Sequence, residues 1–211
     1  MAENHGYRHE GQRRLDRTYP ILTPLEDVHP NGSTMQPAVH LVVGYLCYAG
    51  YTRRRYGRVP GELPTLAALA GAALPDLIDK PIWLAGLVDV GRTIGHSLLF
   101  VVPLVVVVWL VARTRDEEML GVAFAIGILS HIVTDIPWHV LSGDYHELGF
   151  LLWPITPMPE YTGTKSLGTV PGLEMTATTM WLEAVILVAG VALWWADGRP
   201  GTAPIRRVMR K

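Results

Sequence analysis

The stretch Ile94–Ala112, IGHSLLFVVPLVVVVWLVA, runs for nineteen residues without Asp, Glu, Lys or Arg. A run of that length and apolarity reads as a helix that meets lipid rather than as the half-buried helix of a water-soluble fold. Arg113 and Arg115 close it, and Arg92 stands just before it. The neighbouring runs follow the same plan. Pro37–Thr52 is uncharged and stops at Arg53-Arg54-Arg55, with Tyr48, Tyr51 and Tyr56 suited to an interface. Leu63–Pro75 is apolar but short, and ends in Pro75-Asp76-Leu77-Ile78-Asp79-Lys80-Pro81, read as a polar break bracketed by prolines. Ile82–Val90 reads as a short helix or a re-entrant segment. Met119–Thr134 is led in by Asp116-Glu117-Glu118 and closed by Pro137, and Met180–Ala196 carries Trp181, Trp194 and Trp195 near its two ends.

The predicted fold is all-α: an integral membrane bundle of four or five spanning helices. Residues 34–197 form the embedded domain. Residues 1–33 are a polar, disordered N-terminal tail and 198–211 a basic C-terminal tail. The whole-chain figures agree. Of 211 residues 49% are hydrophobic, mean hydropathy is +0.24 and both ends are polar, so the apolar residues concentrate in the middle. A net charge of −1 gives no nucleic-acid footprint. The single cysteine, Cys47, excludes an internal disulfide and a thiolate zinc site. The partners expected are membrane lipid and a small-molecule or lipid substrate.

A second stretch carries the chemistry: Gly127–His139, GILSHIVTDIPWH, in which His131 and Asp135 stand four residues apart in an apolar run. On a helix they lie on one face, about 6 Å apart along the axis. A neutral imidazole and a carboxylate so placed can hold a divalent metal, zinc being the expected ion. The alternative is a buried His–Asp hydrogen bond that pins helices together. Alternating the helices across a membrane, with Arg53–Arg55 inside by the positive-inside rule, brings His40, Asp76, Asp79, His96, His131 and Asp135 to the opposite, outer side. The candidate metal ligands are therefore His40, Asp76, His96, His131 and Asp135. Asp76 or Asp79 would bridge the metal or activate water, and Arg92 would clamp an anion. His96 is read as lying one turn into its helix. Lys80 is assigned to neutralise one of the two aspartates. His139, Asp144, His146 and Glu147 are read as solvated, and Gly71, Gly95, Gly121 and Gly127 as sites of close helix packing. Two other functions fit the same residues: a non-enzymatic membrane protein whose buried His and Asp groups are structural, and a haem or ion-translocating protein.

The ordered set of His40, Leu74-Pro75-Asp76-Leu77-Ile78-Asp79, Arg92-Thr93-Ile94-Gly95-His96-Ser97, Gly127-Ile128-Leu129-Ser130-His131-Ile132-Val133-Thr134-Asp135 and Leu152-Trp153-Pro154 resembles the YdjM-like membrane-bound metal-dependent hydrolases, also described as LexA-binding inner-membrane hydrolases. The resemblance covers about residues 38–155. It implies a metal site drawn from His and Asp with an HxxxD helix, a hydrolase activity, and a helical fold shared with zinc-dependent phospholipase C and P1-type nucleases. The chain departs from the pattern at Gly91, where relatives often carry a histidine, and at Gly95, where they carry threonine.

Overall fold

The computed structural model describes residues 36–137, 140–141, 143, 145–158 and 177–203. The N-terminal tail, His139 and Asp144 lie outside the described residues, as do the last eight residues of the C-terminal tail. The described chain is helical, with no strand among its residues. Five α-helices follow in order: α1 Pro37–Tyr56, α2 Glu62–Leu84, α3 Leu98–Arg113, α4 Glu118–Thr134 and α5 Ala177–Ala196, with a 3₁₀ segment His146–Leu152 between the last two.

The core is α2 against α4, flanked by α1 and α3, with α5 leaning on α1. Small residues set the α2–α4 distance. A Cβ on Gly127 would lie 2.0 Å from the Ala68 carbonyl oxygen, and one on Gly71 would lie 2.3 Å from that of Phe124. Only hydrogen fits at either point, which is the close packing read from the sequence. One apolar cluster, Val101, Ile128, Ile132 and Phe150, joins α3, α4 and the 3₁₀ segment. A second, Tyr48, Ala68 and Ala123, joins α1, α2 and α4.

Two boundaries differ from expectation. The polar break at Pro75–Pro81 is no break, because α2 runs through both prolines to Leu84. Each proline costs one intrahelical hydrogen bond. Pro75 is buried against the 92–97 segment, and Asp79 bonds that segment through both carboxylate oxygens, so tertiary contacts keep the helix whole. In the second case α3 begins at Leu98, not Ile94. Ser97 is its N-cap and accepts from the Leu99 N–H at 3.3 Å, which leaves His96 in the turn before the helix.

The expectation of four or five spanning helices is not met by the helix lengths. Among the described residues no helix is long and apolar enough to cross a membrane. For α1 to α4 the reason is in the sequence of each. Helices α3 and α4 have 16 and 17 residues, α1 ends in Arg53-Arg54-Arg55, and α2 carries Asp76, Asp79 and Lys80. The apolar run of Ile94–Ala112 loses its first turn to the segment that Asp79 ties down.

Candidate metal centre

Four elements deliver polar side chains to one end of the bundle. His40 comes from the first turn of α1, Asp76 and Asp79 from the second half of α2, Arg92 and His96 from the turn before α3, and His131 and Asp135 from the end of α4. All five expected ligands meet there. His40, His96, His131 and Asp135 are buried and Asp76 is nearly so, which is costly for such groups unless each is paired.

The pairing of each imidazole fixes its tautomer. His131 Nδ1 is 2.7 Å from the carbonyl oxygen of Ala72, which only accepts, so Nδ1 carries the proton. His96 Nδ1 is 2.7 Å from Asp79 Oδ2 and donates to it. His40 Nδ1 is 2.9 Å from Thr134 Oγ1, whose own proton goes to the carbonyls of Ser130 and His131. In the neutral rings the three Nε2 lone pairs are left to face a common region. There His96 Nε2 and His131 Nε2 are 3.1 Å apart, and Asp135 Oδ2 is 3.0 Å from the first and 3.7 Å from the second. Ligands of a tetrahedral zinc ion, bonded at about 2.0–2.1 Å, stand about 3.3 Å from one another, so the spacing fits such an ion. A second set, His40, Asp76 and His131, also brings one ligand atom each within 4.8 Å of the others and shares His131 with the first.

Asp135 is the most constrained group. It caps the C-terminus of α4, where the helix dipole disfavours negative charge. Burial pushes its carboxyl up, but the Arg92 guanidinium, with Nε 3.2 Å from Oδ2, holds it well below the usual carboxylate range. Its other oxygen, Oδ1, lies 3.2 Å from His40 Nε2 yet makes no hydrogen bond, as two acceptors face each other there. An acceptor that is buried and unsatisfied among nitrogen lone pairs is a donor set suited to a cation. For His96, burial pulls the imidazole down while Asp135 and Asp79 pull it up, and the carboxylates prevail.

Two sequence-predicted residues take other places. Asp79 does not face the common region. Its oxygens are taken by the Thr93 N–H at 2.6 Å, the Thr93 hydroxyl at 2.8 Å, the Gly95 N–H at 2.9 Å and His96 Nδ1. It is the support behind His96, the carboxylate–histidine arrangement that orients metal-binding imidazoles. Arg92 is buried between Asp135 and the ring of Phe150, 5.4 Å from its centroid, and so is engaged inside the site rather than at its mouth. Lys80 pairs with Asp76 Oδ2 at 2.6 Å and not with Asp79. Glu147, read as solvated, is buried.

The sequence reading missed the groups behind the ligands: the Ala72 carbonyl, Thr93, Thr134 and Phe150. Thr93 and Thr134 stand inside the quoted motifs, but nothing in a hydroxyl's position says which imidazole it serves. Phe150 closes the site from the side, its ring edge-on to His96 with centroids 6.2 Å apart. The Ser97 hydroxyl donates to the Trp153 carbonyl at 2.7 Å and so ties the Leu152–Pro154 stretch to the same turn. Gly95 is where threonine would not fit, since a Cβ there would lie 2.6 Å from the Pro75 carbonyl oxygen.

No curated protein and no solved structure matches the chain. The family model described as YdjM inner membrane protein matches residues 35–200, a range that contains α1 to α5 and every residue of the site. The chain belongs to the YdjM inner membrane protein family.

Proposed function

We propose that this protein is a membrane-embedded, metal-dependent hydrolase. The observation that carries the reading is the pair His96 and His131. Both rings commit Nδ1–H to a partner outside the site, and both Nε2 atoms then converge to 3.1 Å beside Asp135 Oδ2. Two nitrogen lone pairs at that distance repel unless a positive centre lies among them. A divalent cation, zinc by the His/Asp donor set, meets that need and would supply the lowered pKa that makes water a nucleophile at neutral pH. His96, His131 and Asp135 are its first holders, with His40 and Asp76 within reach on the shared side of His131. Asp79 keeps His96 in the tautomer that offers Nε2. Arg92 keeps Asp135 ionised and aimed. The substrate is a phosphoester or lipid-like molecule.

The membrane part rests on the family and on the outward faces of two helices. On α3, Leu99, Phe100, Val102, Val106, Val107 and Leu110 are exposed, and on α5 Trp181, Val185, Val188 and Val191 are exposed. Faces of that kind are stable in hydrocarbon and unstable in water. Helices as short as α3 would require local thinning of the bilayer or partial embedding. An extracytoplasmic site is part of this reading, supported by Arg53–Arg55, Arg113 and Arg115 at the ends of α1 and α3 away from the site and by the positive-inside rule.

The competing reading is structural: a protonated His96 shared among Asp79, Asp135 and His131, with no metal. Metal analysis decides between them. Wild-type protein purified in detergent, dialysed against trace zinc and measured by mass spectrometry is expected to retain at least one equivalent, and His131→Ala to lose most of it. Equal metal in the two, or none in the wild type, sinks the assignment. Resistance of the protein to extraction by alkaline carbonate checks the membrane part.

A further inference from the structure

The ligand ring is sealed on almost every side. His96 and Asp79 are fully buried, and His131, His40, Arg92 and Asp135 are at most 4% exposed. The pair Asp76 and Lys80 is different, with side chains 14% and 28% exposed. They form an i,i+4 ion pair on α2, Nζ to Oδ2 at 2.6 Å, while the other oxygen of the same carboxylate, Oδ1, lies 3.9 Å from His131 Nε2. One carboxylate therefore separates an accessible ammonium from the buried centre. Among the described residues of the site, this pair is the most exposed.

Charge says what kind of molecule the site attracts. Among the described residues paired at the ring itself, three carboxylates, Asp76, Asp79 and Asp135, stand against two permanent cations, Arg92 and Lys80. One negative charge remains, and a bound divalent cation reverses the sign of the balance, so the loaded site attracts an anion. Arg92 is poorly placed to receive it, being buried between Asp135 and Phe150. Lys80 has an ammonium with three N–H donors, and Asp76 Oδ2 takes one.

We propose that Lys80 is the residue that receives the substrate's anionic group, and that this group is a phosphate-type oxyanion bound at the mouth between Lys80 and the metal centre. The proposal rests on the metal-site reading above. Asp76 then works from both ends: Oδ2 keeps Lys80 at the mouth, and Oδ1 faces the ring. The same oxyanion chemistry belongs to a soluble phosphoester and to a phospholipid headgroup. Lys80 recognises the charge in either case.

The test uses full-length protein in detergent or nanodiscs, with zinc content measured on each sample before any anion is added. Binding of inorganic phosphate is followed by titration calorimetry for the wild type, Lys80→Met and Lys80→Arg. Phosphatidic acid in nanodiscs is run as the lipid arm. The expected result is unchanged zinc content in all three proteins, phosphate affinity about tenfold weaker in Lys80→Met, and affinity within about threefold of wild type in Lys80→Arg. Binding of phosphatidic acid without inorganic phosphate, lost in Lys80→Met, assigns the lipid headgroup as the source. Equal anion affinity in Lys80→Met and wild type overturns the proposal, as does a zinc-loaded wild type that binds neither anion. Loss of zinc in Lys80→Met also overturns it, because Lys80 would then act only by holding Asp76. Absence of zinc from the wild type is seen before the titration begins. It is the failure of the metal reading itself, and it removes this proposal with it.

Discussion

Asp79 stands directly behind His96. Its Oδ2 is 2.7 Å from Nδ1, and its remaining capacity goes to the backbone and hydroxyl of the same turn. A carboxylate so used is a positioning group: it fixes both the ring and the loop that carries it. Asp79→Asn keeps the shape but can present an amide N–H toward Nδ1, which favours the wrong tautomer. The expected outcome is metal affinity lower by about 10- to 100-fold, with helical content retained by circular dichroism. Unchanged affinity would show that His96 needs no such support.

His131 belongs to both candidate ligand sets, whereas His40 and His96 belong to one each. Bound metal should therefore fall furthest in His131→Ala, with His40→Ala and His96→Ala retaining more. Competition against a chromophoric zinc chelator ranks the three. A ranking with His131→Ala least affected contradicts the shared-ligand geometry.

Gly127 faces the backbone of α2 with no room for a methyl group, and Gly50 has nothing within 4 Å of an added Cβ. Gly127→Ala must push α4 from α2 and is expected to cost about 1–3 kcal/mol. Gly50→Ala, in the interior of α1, should be neutral or slightly stabilising. Thermal unfolding of the two variants in the same detergent makes the comparison. Because His131 and Asp135 ride on α4, the first variant should also weaken metal binding.

At the far end of the bundle Asp197 is buried and accepts from both the Tyr45 hydroxyl and the Arg53 guanidinium, which fastens α5 to α1. Glu62 Oε2 accepts from the Gly201 and Ala203 N–H groups and fastens the following turn to α2. Arg53 is about one-third exposed, so solvent screens the ion pair, and Asp197→Asn is expected to cost about 1–2 kcal/mol rather than the larger figure of a sealed pair. Limited proteolysis after α5 should quicken in this variant while metal content stays at the wild-type level.

The sequence by itself determined the helical class, the apolar cores of the helices, and which polar residues could not be left alone in them. His40, Asp76, His96, His131 and Asp135 are conspicuous because each interrupts or borders an apolar run, and a buried polar group must find a partner wherever it lies. Helical spacing alone put His131 and Asp135 on one face. The closeness of Gly71 and Gly127 to the facing backbone was also legible, since small residues at helical spacing have few other uses in an apolar helix.

Only the tertiary structure decided which partner each polar residue has. Asp76 and Asp79 are three residues apart and chemically identical, yet one faces the ring beside Lys80 and the other is consumed behind His96. That division depends on the Arg92–Ser97 turn folding back onto α2, a contact between segments whose spacing in the chain carries no signal. The same contact holds α2 helical through two prolines and shortens α3 at its start, so local rules of helix termination misplace both boundaries. Propensity acts over a single turn. The bonds of Asp79 act across the fold, and several together outweigh one proline's missing donor.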